Sequence, residues 1–369
     1  MNILIVGEFS AFAKHLKNGF LQLGHDVCVI QDGDGFKKIT PAYGDIVYRN
    51  KNFELFGIEI PKSLSLAAFF LNRNLEAKIV KRFNGKIDLV VIVNYRFLSL
   101  NWHTIGLRLP FIMGLLDKGA KLIVSACGGD PAFRSTYPDL MKIWGMNSKQ
   151  DLNDKRFLFL LDQSNVIIPT IYSYYYSMRS FCERLGKYEN KVHKPIPLPM
   201  TVDKDCQISS CANRKIVVFH GVIRPREKGT PYIKEAMDRL LKKYPDKVQC
   251  ICKGGMPYDE YVKVFEDVDI LIDQTYQNGW GVNAAIGAMK GKCVLAPCGK
   301  ENGDLMGIPD IPFVQIGPDS NQIYEVLEDL ILNPSKIDDI KLRSRRFIEN
   351  YCDSKLVAKQ YVDAVESAC

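Results

Sequence analysis

The sequence lacks the patterns that mark several specialised classes of protein. Its longest apolar run, at residues 64–71, is too short to span a bilayer, and the start MNILIVGEF enters a strand without the basic region and cleavage site of a signal peptide. The cysteines show no repeated metal-ligand spacing, and no zinc-finger, RNP or heptad pattern occurs. We therefore expect a cytoplasmic protein with reduced thiols, no bound metal and no nucleic-acid partner.

Length and composition predict two hydrophobic cores. The chain has 369 residues, of which 47% are hydrophobic and 25% charged, and one ordinary domain is shorter than this. Three prolines within the segment 195–199 exclude a helix or a central strand, so the domain boundary is placed there. Apolar strand-like runs alternate with helical stretches on both sides of it, near 2–7, 25–30, 87–93, 121–126, 166–168, 215–221, 249–252, 269–272 and 293–296. This alternation predicts an α/β fold with two doubly wound, Rossmann-like domains facing each other across a cleft.

Charge is distributed unequally between the two halves. Residues 1–200 contain 26 Lys and Arg against 17 Asp and Glu, whereas residues 201–369 contain 23 against 25. The first half therefore carries the positive field, which suggests an anionic partner such as an anionic membrane surface or a lipid-linked diphosphate.

The segment from Asp269 to Pro297 is the most informative part of the chain. It is predicted to form a buried strand, a loop relieved by Gly279 and Gly281, a helix of small apolar residues and a second buried strand. Such a unit presents a loop and a helix N-terminus to a ligand.

The order DQ, then GWGV, then a small-residue helix ending in GK resembles the nucleotide-sugar loop of the retaining GT-B glycosyltransferases of family 4 (group 1). The resemblance implies the GT-B fold and a nucleoside diphosphate sugar as donor, with no further cofactor. It also implies an N-terminal acceptor domain at 1–195, a connector at 196–204, a donor domain at 205–343 and a C-terminal helix at 344–369 that crosses back to the first domain.

A basic segment follows the strand that ends at His220-Gly221. Arg224, Arg226 and Lys228 resemble the residues that hold the donor diphosphate in this family, and developing negative charge on a leaving diphosphate needs such fixed cations. The alternative is a solvated basic turn. His220 is the only one of the five histidines expected in the cleft.

The remaining donor-binding candidates come from three glycine-containing segments. Gly7 and Ser10 follow the first strand and are expected on the first-domain wall of the cleft, together with Asp130. Lys253 begins a segment that resembles the region contacting the nucleobase. The loop and the helix that follows it contribute Asn278, Gly279, Trp280, Gly281, Val282 and Asn283.

The sequence departs from the family pattern at three positions. A gapless match places Asn278 and Ile286 where relatives usually carry two glutamates, and an isoleucine cannot accept hydrogen bonds from the donor ribose. Cys127 occupies the position where many relatives place an active-site histidine. The catalytic residue is left unassigned, with Cys127 and Asp130 as candidates, and Asp130 could equally cap the next helix.

Two segments of the first half combine aromatic and basic residues, at 63–83 and 170–188. Each is compatible with a helix at a membrane surface or with an ordinary helix packed on a sheet. The first interpretation would place the protein peripherally on the inner face of the plasma membrane.

These features predict a hexosyltransferase, retaining by resemblance, that transfers a sugar to a glycan or lipid-linked acceptor in cell-surface polysaccharide synthesis. A non-catalytic GT-B partner subunit would explain the replaced glutamates directly. A sugar-nucleotide epimerase of the same shape would need carboxylates or histidines in the cleft for proton transfer.

Overall fold

A computed structural model describes most of the chain. Residues 63 and 64 of the first aromatic segment and residue 204 of the connector lie outside the described residues, as do the side chains of 53–60, 65–70 and 258. The described residues are 1–34, 37–47, 53–55, 58–60, 65–99, 106–146, 153–203, 205–212 and 214–368.

The first half of the chain builds a six-stranded parallel sheet in the order β3-β2-β1-β6-β9-β10. Ile3 and Ile5 face one core and Leu4 and Val6 face another, so helices cover both faces of the sheet. Two short pairs, β4 with β5 and β7 with β8, lie outside it. The strands are β1 (Asn2–Val6), β2 (Asp26–Gln31), β3 (Ile46–Val47), β4 (Phe53–Leu55), β5 (Ile58–Ile60), β6 (Leu89–Ile92), β7 (Leu98–Ser99), β8 (Leu107–Arg108), β9 (Lys121–Ala126) and β10 (Val166–Pro169).

The described residues of this half form seven α-helices. The second and the seventh helix contain most of the two aromatic segments, and each buries side chains in the core beside the sheet: Leu75 and Ile79 in the second, Met178 and Phe181 in the seventh. Their described parts therefore pack on the sheet as ordinary helices. The helices are α1 (Phe12–Gln22), α2 (Ser65–Arg82), α3 (Leu109–Leu116), α4 (Pro131–Thr136), α5 (Pro138–Ile143), α6 (Lys155–Gln163) and α7 (Tyr172–Leu185).

The second half builds a five-stranded parallel sheet in the order β12-β11-β13-β14-β15. The predicted pair of doubly wound parallel sheets is thus confirmed. Its strands are β11 (Ile216–Val222), β12 (Val248–Gly254), β13 (Ile270–Ile272), β14 (Cys293–Ala296) and β15 (Val314–Gln315), and its helices are α8 (Pro225–Lys228), α9 (Thr230–Lys243), α10 (Tyr258–Val264), α11 (Val282–Met289), α12 (Lys300–Met306), α13 (Ser320–Leu332), α14 (Pro334–Phe347) and α15 (Ser354–Ser367).

Each sheet has one point at which the order of its strands reverses, between β1 and β6 in the first sheet and between β11 and β13 in the second. Ligands of open parallel sheets bind in the crevice outside the carboxyl ends of the strands at such points. At the first point the backbone after β1 approaches the backbone after β6 so closely that a Cβ on Gly7 would lie 2.9 Å from the Asn94 nitrogen. Gly7 also has a φ of +92°, so a side chain is excluded on both counts.

The far end of β13 is held by a buried ionic cluster. Asp269 is fully buried and accepts hydrogen bonds from the guanidinium of Arg214 and the ammonium of Lys341, each at 2.6 Å, and from the Val217 N–H at 2.9 Å. A buried carboxylate needs such partners to offset its lost hydration. The cluster therefore fixes α14 and the start of β11 to the sheet.

The last helix returns to the first half of the chain. The connector pairs with the segment before α15, where Met200 N donates to the Cys352 carbonyl at 2.7 Å and Ser354 N donates to the Met200 carbonyl at 2.8 Å. Helix α15 then packs along α1, and its Tyr361 hydroxyl lies 2.7 Å from the Ser125 hydroxyl on β9. The connector and the segment that leads into α15 thus both link the two halves.

None of the described helices is both long enough and apolar enough to cross a lipid bilayer.

We predict that Gly19→Ala destabilises the protein by about 1–3 kcal/mol, because a Cβ there would lie 1.9 Å from the Ser354 carbonyl oxygen and force α15 away from α1. Gly114→Ala is the matched control: this glycine is also helical, but its Cβ would meet nothing within 4 Å. That change should be neutral or stabilise by about 0.5–1 kcal/mol. Urea unfolding of both variants measures the difference, and equal stabilities would contradict the close packing of α1 and α15.

Candidate functional site

A cleft of about 390 Å³ lies between the carboxyl ends of the two sheets. The first half contributes the segments after β1, β2, β6, β9 and β10, and the second half contributes the segments after β11 and β13. Both reversal points therefore open onto the same space, which is where a parallel-sheet protein binds its ligand.

The described residues that line the cleft carry more positive than negative charge. Two carboxylates, Asp34 and Glu227, are present, and both are already paired, with Lys37 and Arg224. The cationic side chains are Lys37, Arg96, Arg134, Arg224 and Lys228. Such a balance in a concave site attracts an anionic ligand.

The first-domain wall is fixed by a small polar network. Ser10 N donates to the Asp34 carboxylate at 2.8 Å, and Lys37 Nζ donates to Ser10 Oγ at 2.7 Å. Ser10 lines the cleft as predicted from its place after β1. Lys37 and Asp34 were not among the sequence candidates, because they lie in a loop without a recognisable pattern.

A buried ion pair forms the floor on the second-domain side. Lys228 lines the cleft and is 7% exposed, and its ammonium contacts the carboxylate of Asp273, which is fully buried at the end of β13. Burial opposes ionisation of Asp273, but the Lys228 cation and two further hydrogen bonds prevail and hold the pKa of this carboxyl below its usual value. The basic segment is therefore more than a solvated turn at Lys228.

Asp273 also shapes the loop that carries the predicted donor contacts. Gly281 N donates to its Oδ2 at 2.9 Å, and the Asn283 side-chain amide donates to its Oδ1 at 3.0 Å. A Cβ on Gly281 would lie 3.0 Å from Oδ2, so the approach depends on glycine. One carboxylate thus positions the start of α11 and Lys228 at the same point of the cleft.

The structure brings only part of the predicted set into the cleft lining. The candidates that do line it, from both halves, are Ser10, Cys127, Arg224, Lys228, Trp280, Gly281, Val282 and Asn283. Asp273, which organises several of them, was missed, although its position directly after a buried strand could have identified it.

Asn278 and Gly279 join the two halves beside the cleft. Asn278 N donates to the Ser173 hydroxyl at 2.8 Å, and the Asn278 carbonyl accepts from the same hydroxyl at 2.9 Å. Its side-chain oxygen accepts from Gly299 N at 2.8 Å. Gly279 lies against Ile171, where a Cβ would be 2.6 Å from the nearest side-chain atom. Among the described contacts, Asn278 therefore serves the junction, and its predicted role toward a donor stays a prediction.

Three other candidates lie near the cleft without lining it. Gly7 sits below it against Asn94. Arg226 is exposed and points toward Gly145, where an added Cβ would lie 3.1 Å from Nη1, and Lys253 is exposed on β12 beside Gly254. Their predicted contacts with the donor stay predictions.

The expectation that His220 lies in the cleft is wrong. The side chain is fully buried, with Nδ1 2.9 Å from the Ile272 carbonyl and Nε2 2.9 Å from the Thr230 hydroxyl. Burial lowers the pKa of this imidazole to about 4, so it is neutral at physiological pH. His220 joins β11, β13 and the start of α9 and is not available to a ligand.

The two catalytic candidates differ in their surroundings. Asp130 caps α4, because its carboxylate accepts from Phe133 N at 2.8 Å, and it does not appear among the described lining residues. Cys127 lines the cleft, but burial raises the pKa of its thiol to about 12, so a thiolate nucleophile is absent at neutral pH. Its Sγ lies 3.3 Å from the Ser125 hydroxyl.

Glu8 is a further buried carboxyl near the first-domain wall. It is 1% exposed and accepts from Ala13 N and Lys14 N at 3.0 Å each, so it caps the start of α1. Burial raises its pKa to about 7. Among the described residues, no group of three His, Cys, Asp or Glu side chains is arranged to hold a metal ion.

A smaller cavity of about 50 Å³ adjoins the cleft. It is lined by Gly254 and Gly255 after β12, by Tyr261 and Asn283, which share a hydrogen bond, and by Ile286. Ile286 is 3% exposed, so the position of the family's second glutamate is apolar and faces this cavity.

Comparison with known proteins identifies the fold. No protein-family model matches the sequence, and no curated protein matches it. Sucrose-phosphate synthase from Thermosynechococcus elongatus superposes with a TM-score of 0.61 at 12% identity, over 100% of this chain and 99% of that one. Anabaena HepE in complex with UDP-glucose also gives 0.61 at 12% identity, over 100% of both chains.

The fold is GT-B. UDP-GlcNAc 2-epimerase from Neisseria meningitidis, bound to UDP-GlcNAc, superposes with a TM-score of 0.51 at 15% identity over 100% of both chains. At these identities the likeness concerns the fold, which serves both transferases and epimerases.

We predict that Lys228→Met destabilises the folded protein by about 3–5 kcal/mol, because it leaves the buried Asp273 carboxylate without its cation. Arg224→Met is the control: Arg224 also pairs with a carboxylate, but its side chain is 61% exposed, so its loss should cost no more than about 1 kcal/mol. Urea unfolding at neutral pH measures both changes. Similar stabilities of the two variants would contradict the assignment of the Lys228–Asp273 pair as the floor of the site.

Proposed function

We propose that this protein is a glycosyltransferase that transfers a sugar from a nucleoside diphosphate sugar to a glycan or lipid-linked acceptor. The observation that carries the proposal is the cationic cleft at the reversal points of both sheets, in which Lys228, Arg224 and the start of α11 converge. The departing diphosphate gains negative charge in the transition state, and fixed cations and helix N–H groups stabilise that charge without a metal.

The donor side of the proposal is supported by what similar folds bind. Anabaena HepE was solved with UDP and with UDP-glucose. The diphosphate would lie between Arg224 and the Gly281 N-terminus of α11, and the base would lie toward the glycines after β12. The retaining outcome rests on the resemblance of the loop at 278–283 to family 4.

The acceptor side is supported by the charge and shape of the first half. Arg96 and Arg134 line its part of the cleft, beside the aromatic rings of Phe133 and Trp144, which are stacked at 6.0 Å. Aromatic faces pack against sugar rings, and cations attract a phosphate-linked acceptor. A lipid-linked sugar diphosphate contains both a sugar ring and phosphate groups. Such an acceptor fits cell-surface polysaccharide synthesis at an anionic membrane surface.

The proposal can be tested with purified protein and a panel of UDP, GDP and TDP sugars, together with UMP and UDP. A ligand that binds the folded state raises the melting temperature by mass action. A diphosphate should raise it more than a monophosphate, because its second phosphate reaches Lys228 and Arg224. Arg224→Ala should weaken diphosphate binding about tenfold, the effect of one charge-assisted hydrogen bond. Arg239→Ala, which removes an arginine on α9 packed against Tyr324, is the matched control and should change nothing.

The products decide between the three functions that this fold and cleft allow. Incubation with the stabilising sugar nucleotide and extracted lipid-linked acceptors should yield a longer glycan. Inversion of configuration at one carbon of the nucleotide-bound sugar would establish an epimerase instead. The epimerase is the second candidate because the fold is similar to that of UDP-GlcNAc 2-epimerase. Binding without any product would establish a non-catalytic subunit, and failure of every sugar nucleotide to bind would refute the proposal.

We also predict that Ile286→Glu increases the melting-temperature shift caused by the donor. Ile286 faces the small cavity beside Asn283, and a carboxylate there can accept the ribose hydroxyls that isoleucine leaves unpaired. Without donor the variant should be less stable, because a charge is buried. Ile286→Leu controls for packing and should leave the donor shift unchanged. If the donor raises the melting temperature of Ile286→Glu no more than that of the unaltered protein, the ribose lies elsewhere.

A further inference from the structure

Several polar side-chain atoms that are buried at the wall of the cleft have no hydrogen-bond partner among the described residues. Among them are the Thr170 hydroxyl, the Gln277 amide oxygen and the Trp280 indole N–H, and the Trp144 indole N–H of the first half is another. Thr170 is 0% and Trp280 1% exposed, so their polar atoms are removed from bulk water. Buried polar groups are almost always paired, and each unpaired one costs free energy that a ligand can recover.

Chain packing brings these three residues to one place. Ile171, the neighbour of Thr170, lies against Gly279, and Ser173 N donates to the Asn278 carbonyl at 3.2 Å. The segment that follows β10 therefore runs along the loop that precedes α11. Thr170 enters the cleft wall from the first half, and Gln277 and Trp280 enter it on either side of that contact from the second half.

The backbone of Gln277 has an unfavourable conformation for a residue with a side chain. Its φ is +77°, in the left-handed region that glycine occupies readily and that other residues rarely adopt. Gly279 and Gly281 occur in the same loop, yet the position with the left-handed backbone is occupied by glutamine, which has a long amide side chain. Such outliers concentrate where a side chain must be placed for a ligand.

The chemistry of the three atoms selects the ligand. The Gln277 oxygen can only accept a hydrogen bond, the Trp280 N–H can only donate one, and the Thr170 hydroxyl can do both. A fully ionised phosphate has no hydrogen to give to Gln277, whereas a sugar hydroxyl donates and accepts. Resting on the proposed function, we propose that Thr170, Gln277 and Trp280 form the subsite that holds the donor sugar through its hydroxyl groups, apart from the cations that hold the diphosphate.

This assignment gives the sugar a binding surface that does not depend on the family glutamates. The loop residue Asn278 is engaged by Ser173 and Gly299, and Ile286 is apolar. The subsite instead spans both halves of the chain, so a bound sugar would bridge them. Binding of the sugar would therefore stabilise this packing of the two halves against each other.

Thr170→Val tests the subsite, because valine keeps the shape of threonine and removes only the hydroxyl. We expect the dissociation constant for UDP-glucose to rise about fivefold to tenfold, the effect of one lost hydrogen bond, while that for UDP stays the same. GDP-mannose and GDP, measured in parallel by calorimetry, cover the other common base. Gln277→Met should give the same pattern, because methionine has a similar length but lacks the acceptor oxygen.

Thr275→Val is the matched control. The Thr275 hydroxyl is also buried without a partner, but Thr275 is not among the residues that line the cleft. Both valine variants should melt at or above the temperature of the unaltered protein, because an unpaired buried hydroxyl is replaced by a methyl group. Only Thr170→Val should lose affinity for the sugar nucleotide.

Four outcomes would overturn the assignment. If the unaltered protein binds each nucleotide sugar no more tightly than the nucleotide alone, or if Thr170→Val weakens UDP and UDP-glucose equally, the subsite is absent while the diphosphate site stands. If Thr275→Val loses as much affinity as Thr170→Val, the effect is one of stability and not of contact. If none of the UDP, GDP and TDP sugars binds, the proposed function fails together with the subsite.

Discussion

The site depends on one buried carboxylate, that of Asp273. It lies at the end of β13, at the point where the second sheet reverses its strand order, and it is fully buried. A charge in that place persists only if it is compensated, and here Lys228, the Gly281 N–H and the Asn283 amide supply the compensation. Because Lys228 lies at the end of α8 whereas Gly281 and Asn283 lie at the start of α11, the requirement to satisfy Asp273 fixes the cation and the N-terminus of α11 relative to each other.

The two halves are held in register by contacts on opposite sides of the cleft. On one side the connector and the segment before α15 pair through Met200, and α15 packs on α1. On the other side Ser173 joins Asn278, and Tyr172 N donates to the Asn302 side chain at 3.0 Å. Ile171 also packs against Gly279 at the second contact, so apolar packing accompanies its hydrogen bonds. Two contacts between segments distant along the chain thus hold the walls of the cleft in their relative positions.

The positions where this chain departs from the family it resembles have physical consequences. Asn278 uses its amide at the junction, Ile286 leaves an apolar wall, and Cys127 presents a neutral thiol where relatives place an imidazole. None of the three can carry negative charge toward a sugar at neutral pH. Under the proposed function, stabilisation of a departing diphosphate would fall to the cations, and recognition of the sugar would fall to neutral groups. Such a cleft would differ from one built on two glutamates.

The sequence by itself determined the elements that depend on local patterns. Apolar runs of three to seven residues predicted the parallel strands, and the glycines of the GWGV loop predicted the turn before α11, because these signals act over a few neighbouring residues. Whether a polar residue faces the cleft was decided only by tertiary structure. His220 lies near the end of β11 and Asp273 directly follows β13, but the imidazole is hydrogen-bonded to Ile272 and Thr230 and is buried away from ligands, while the carboxylate pairs with Lys228 and organises the site. Thr170 and Gln277 are 107 residues apart and line the same cleft only because the two halves pack together. Residues so distant in sequence leave no local pattern, so their common place in the cleft could be found only in the folded chain.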